Sequence, residues 1–135
     1  PVFLCRSVID ICVAHDIEVE FYHLDADLNI LLEERKLPAE ECLYLVSYYG
    51  QLTDEKILYC QKVYGNVIVD HTHAFFQKPL KGVDTLYSCR KFWGVSDGAY
   101  VSSDVVLSGE QIWCAYEPHS GTLRRKCREI LPGNA

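Results

Sequence analysis

The sequence predicts an α/β fold, a three-layer αβα domain built around a mostly parallel sheet. Two observations predict it. Cys42-Leu43-Tyr44-Leu45-Val46 and Val67-Ile68-Val69 are continuous apolar runs, as expected of parallel strands covered on both faces. Between them, from Thr53 or Asp54 to about Tyr64, Ile57, Leu58, Cys60 and Tyr64 recur at helical spacing. Strand, helix, strand in that order is the pattern of a parallel sheet with right-handed crossovers.

The remaining elements follow along the chain. Val2-Phe3-Leu4 reads as the end of a strand. Ser7 to His15 places Val8, Ile11, Cys12 and His15 on one helical face. Glu18-Val19-Glu20-Phe21-Tyr22 alternates as a strand with one exposed face does. Asp25-Ala26-Asp27 is a turn, and Leu28 to Arg35 fits either a helix or an irregular segment. Pro38 stops whatever precedes it. Tyr48-Tyr49-Gly50 is a loop after the first apolar run, Thr53 or Asp54 caps the helix, and Gly65-Asn66 ends it in left-handed geometry. Asp84-Thr85-Leu86-Tyr87 is another short run. Val95-Ser96-Asp97-Gly98 is a turn, and Ala99-Tyr100-Val101 a last short strand of undetermined direction. Ser108 to Trp113 and Gly121 to Ile130 read as helical. Residues 1–103 would thus form the α/β core and 104–135 a C-terminal helical segment.

Bulk composition excludes several classes. The 135 residues suit one domain. With 13 basic against 19 acidic residues and a net charge of −6, no basic stripe for nucleic acid is expected. No apolar run is long enough to span a bilayer and no signal peptide is evident, so a cytoplasmic protein is expected. The seven cysteines include no Cys-x-x-Cys pair and are expected to be reduced, buried thiols. The chain has no methionine and opens inside a strand-like run, as an incomplete domain would.

The chemistry concentrates at two strand ends. Asp70 ends one apolar run, in Val67-Ile68-Val69-Asp70-His71-Thr72-His73, and Lys91 follows the next, in Ser88-Cys89-Arg90-Lys91. A carboxylate and an amine so placed are what a pyridoxal 5'-phosphate site requires. The amine condenses with the cofactor aldehyde, and the carboxylate keeps the pyridine nitrogen protonated so that the ring accepts electrons. In parallel α/β sheets, ligands gather beyond the carboxyl ends of the strands, where Asp70 and Tyr48-Tyr49-Gly50 both project. Burial and the neighbouring Arg90 would lower the Lys91 pKa. Ser88 would donate to the cofactor phosphate, and His73 would bond or stack near the ring oxygen. The pair of histidines lacks the third and fourth ligands of a zinc site, so no metal is expected. No Gly-x-Ser-x-Gly elbow, Gly-x-Gly-x-x-Gly or Walker loop is present. Arg124, Arg125, Lys126 and Arg128 read as a solvated helix face.

Tyr48-Tyr49-Gly50, Val67 to His73, and Ser88 to Lys91 with Asp97-Gly98 resemble the DegT/DnrJ/EryC1/StrS sugar-nucleotide aminotransferases, over roughly residues 1–103. The resemblance implies the large domain of fold-type-I pyridoxal-phosphate-dependent transferases. It implies transfer of an amino group from glutamate or glutamine to a keto sugar nucleotide, as in polysaccharide or deoxy-amino-sugar biosynthesis. Lys91 matches the lysine that binds the cofactor and moves the substrate proton. Asp70 matches the pyridine-nitrogen partner, His73 the position near the ring oxygen, and Ser88 a phosphate-binding serine. A homodimer is implied. Cys5 stands where the family places an aromatic ring over the cofactor, and the Gly-Ser/Thr phosphate-binding helix start is absent from this sequence. These departures raise the alternative of a cofactor-free binding or regulatory relative on the same scaffold. A dehydratase of this family carries histidine in place of the lysine, which Lys91 argues against.

Overall fold

The computed structural model describes residues 4–96 and 98–104, together with the backbone of the strands 112–119 and 122–129. Helix α1 spans Arg6–Ala14, followed by β1 (His23–Leu24), β2 (Ile30–Leu31) and β3 (Leu43–Val46). Helix α2 (Asp54–Tyr64) leads to β4 (Val67–Asp70), β5 (Asp84–Ser88) and β6 (Ala99–Ser102). The hairpin strands β7 (Ile112–His119) and β8 (Thr122–Glu129) close the order.

The main sheet has the order β3-β4-β5-β6. β3, β4 and β5 are parallel, and β6 runs antiparallel to β5. The protein is therefore α/β with a mostly parallel sheet, as its apolar runs predict. Register follows from the period of two. Leu43 and Leu45 oppose Val67 and Val69, and all four are buried with Val83 against Ile57, Cys60 and Tyr64 of α2. That is the core. Tyr44, Val46, Ile68, Leu86 and Ser88 lie on the other face of the sheet and are half-buried.

The ends of α2 follow its sequence signals. The Thr53 hydroxyl accepts from the Lys56 amide at 3.4 Å, and Asp54 and Glu55 sit in the first turn, where the helix dipole favours negative charge. Gly65 ends the helix at φ 97°, a conformation open to glycine without cost.

Several expectations are corrected. Glu18 to Tyr22 forms no strand; the pairing starts at His23, in a two-residue ladder with β2. Asp25 turns that hairpin: one carboxylate oxygen accepts from the Asp27 and Asn29 amides, the other from the Asn29 side chain. On α1 the covered residues are Val8, Ile9 and Cys12, while Ile11 and His15 are exposed. The C-terminal segment is not helical. β7 and β8 pair antiparallel from Ile112↔Glu129 to His119↔Thr122, and this pairing overrides the helical spacing of Leu123 and Cys127. The expected strand end at Val2-Phe3, the helix start at Ser108 and the turn residue Asp97 lie outside the described residues. Among the described cysteines all are free, but only Cys60 is buried, and Cys5 and Cys42 are exposed.

Candidate functional site

The carboxyl ends of β3, β4 and β5 share one edge of the sheet. The ladder extends past the strands there. Ser47 donates its amide to the Asp70 carbonyl at 2.9 Å, and His71 donates to the Leu86 carbonyl at 2.8 Å. Asp70 is thus pinned between two neighbours at the last position of β4. Its side chain is 7% exposed. Tyr44 donates its hydroxyl to Asp70 Oδ2 at 2.8 Å, and the Thr72 amide donates to Oδ1 at 2.7 Å. A carboxylate has about four acceptor positions, so two bonds leave room for a further donor. Burial, then the Asp70 charge, raises the Tyr44 pKa far above its ordinary value, so its phenol stays protonated and is the donor to the carboxylate.

His73 and Lys91 meet. Lys91 follows β5 in a 3-10 turn over Cys89–Lys91, and its Nζ lies 2.6 Å from His73 Nε2. With Lys91 charged, Nε2 accepts and the ring proton sits on Nδ1. That atom is buried without a partner. Tyr49 stacks on the His73 ring at 5.4 Å and 16°. Tyr49 itself is held in left-handed backbone geometry, at φ 53° and ψ 26°, which costs a side-chain-bearing residue about 1–2 kcal/mol. Gly50 follows at φ 73°. Strain of this kind gathers at functional sites.

Aromatic side chains bring the two loops together. Phe75 packs on Phe92 at 5.6 Å and on Trp93 at 6.0 Å, and Phe76 packs on the same pair. These contacts tie the loop after His73 to the residues that follow Lys91. Beside them lies an open hollow of about 290 Å³, lined by Tyr49, His73, Phe75, Phe76, Gln77 and Phe92 among others.

Burial does not isolate Lys91, contrary to expectation. Its 3-10 turn lies at the surface, and Lys91 and Arg90 are both exposed. Ser88 is half-buried at the end of β5, on the Asp70 face, and its hydroxyl does not cap the turn that follows. Cys5 is exposed, and its thiol bonds the Ser7 hydroxyl at 3.0 Å. That bond, then the Ser7 amide, lowers its pKa, with smaller help from Lys91 and Arg90. Among the described residues no group of His, Cys, Asp or Glu side chains could hold a metal ion.

Sequence reasoning missed Tyr44 and the aromatic clasp. Tyr44 shares strand parity with its partner Ile68, and so with Asp70, once the register is known. The Phe75-Phe76 and Phe92-Trp93 pairs flank His73 and Lys91 in sequence, and that symmetry was the available signal. His71 is 1% exposed, packs edge-on against Tyr87 at 5.4 Å, and has no hydrogen bond on either ring nitrogen. Burial pushes its pKa down, offset in part by the Gln77 backbone. Compared with known proteins, the chain matches no family model, no curated protein sequence and no solved structure.

Proposed function

We propose that the protein is a pyridoxal-phosphate-dependent aminotransferase, acting on a keto sugar nucleotide with glutamate or glutamine as amino donor. The observation that carries the reading is the Lys91–His73 contact at 2.6 Å, at the sheet edge that also holds the Asp70 carboxylate. The side chains fit the cofactor in kind. Lys91 offers an accessible amine, His73 an imidazole with an unpartnered buried nitrogen, Asp70 a buried carboxylate with acceptor capacity left, and Ser88 an uncommitted hydroxyl. The α/β architecture supports the finer reading of a three-layer domain of fold-type-I kind.

When bound, pyridoxal phosphate supplies an aldehyde that takes up an amino group and a ring that accepts electrons. Lys91 would be the residue that holds the cofactor by its aldehyde, and its amine would be the group placed to move a proton at the reacting carbon. His73 would orient the Lys91 amine through the Nε2–Nζ contact at 2.6 Å. Asp70 offsets the positive ring nitrogen by charge. Tyr49 shields His73 from water on one face. Ser88 donates to the phosphate. Loaded with the cofactor and given glutamate, the protein should release 2-oxoglutarate in a single turnover, and Lys91→Ala should not. Equal release from both would remove this function.

The exposure of Lys91 and of Cys5, at the position where an aromatic ring would cover the cofactor, favours a second reading. It is a cofactor-free binding or regulatory relative on the same scaffold. A protein that stays colourless after incubation with pyridoxal phosphate would support it.

A further inference from the structure

The hydroxyl of Tyr44 bonds the Asp70 carboxylate from outside the sequence motifs. Tyr44 stands in β3 opposite Ile68, and Asp70 is two residues further on the same face of β4. The phenol leans one pair along the strands to reach Asp70 Oδ2 at 2.8 Å. A second tyrosine fixes the backbone beneath it: Tyr22 donates its hydroxyl to the Tyr44 carbonyl, also at 2.8 Å. Tyr44 does not line the hollow beside His73. Its reach into the site runs through the carboxylate.

We propose that Tyr44 is a positioning residue of the cofactor site, fixing the rotation of the Asp70 carboxylate that pairs with the protonated ring nitrogen of pyridoxal phosphate. The Thr72 amide holds Oδ1 and the Tyr44 phenol holds Oδ2. With both oxygens restrained, the carboxylate offers its remaining lone pairs in one direction without reorganising. With Oδ2 released, the group is free to turn about the Thr72 bond. This inference rests on the proposed cofactor, and it is specific to the ring nitrogen.

The test compares two ligands on wild type and Tyr44→Phe. One is pyridoxal phosphate. The other is 1-deazapyridoxal phosphate, which keeps the aldehyde and phosphate but has carbon in place of the ring nitrogen. Dissociation constants are read by absorbance and the site is mapped by borohydride trapping. Tyr44→Phe should bind pyridoxal phosphate about tenfold more weakly and the deaza compound unchanged. Equal loss for both ligands, or loss for neither, overturns the proposal. If wild type itself takes no pyridoxal phosphate on Lys91, the proposed cofactor fails and this inference with it. A failure confined to the comparison leaves the cofactor standing. Tyr44→Ile, which suits a strand, gives the same readout should Tyr44→Phe not fold.

Discussion

Asp70 and Lys91 differ in how firmly the chain holds them. Asp70 accepts two hydrogen bonds and is nearly closed to solvent. Lys91 is exposed, and its side chain hydrogen-bonds His73. Asp70→Asn keeps the shape but removes the charge that the proposed site would set against a pyridinium. It should weaken pyridoxal phosphate by one to two orders of magnitude, on the order of 1.5–3 kcal/mol for a charged bond, as measured by equilibrium dialysis. Unchanged affinity would show that Asp70 serves only the fold. The positions of Asp70 and Ser88 were legible because each closes a strand whose apolar run marks it in the sequence. The Lys91–His73 contact was not, because two loops and four aromatic rings set it. Lys91's exposure was misread for the same reason: nothing in Cys89-Arg90-Lys91 reveals whether a turn faces in or out.

Helix α2 is the element whose every boundary was written in its residues. Its Thr53 cap satisfies one otherwise unpaired amide. Thr53→Ala should lower unfolding free energy by about 0.5–2 kcal/mol in urea titration, with no change in the denaturant slope. A loss above that range would mean that the cap also anchors the loop holding Tyr49. Strands β3 and β4 were legible because parallel strands covered on both faces are apolar throughout. β1 and β2 were not, since a two-residue ladder has no period to detect. β7 and β8 were misassigned because Leu123, Cys127 and Ile130 fit a helix as well as a strand when no partner is considered. The antiparallel register decides between them.

Among the described residues the apolar core lies on one face of the main sheet. Leu45 is 2% exposed between Val69 and α2, and Leu45→Ala should cost about 2–5 kcal/mol, read as a lower urea midpoint. Acid should act through His71. Burial holds its folded pKa below the ordinary 6.5, so the unfolded chain binds the proton more readily. Its contribution to stability is full above about pH 6.5 and is lost as pH falls below it. Tm should therefore decline on that side, and His71→Phe should flatten the decline. Identical profiles would contradict the assignment. The central claim is that the β4 and β5 strand ends form a pyridoxal-phosphate site. The most direct test is to incubate the protein with the cofactor, reduce with borohydride, and map the labelled peptide. The account predicts a single label on Lys91, absent from Lys91→Ala. Unmodified Lys91, or label scattered over the other lysines, would contradict it.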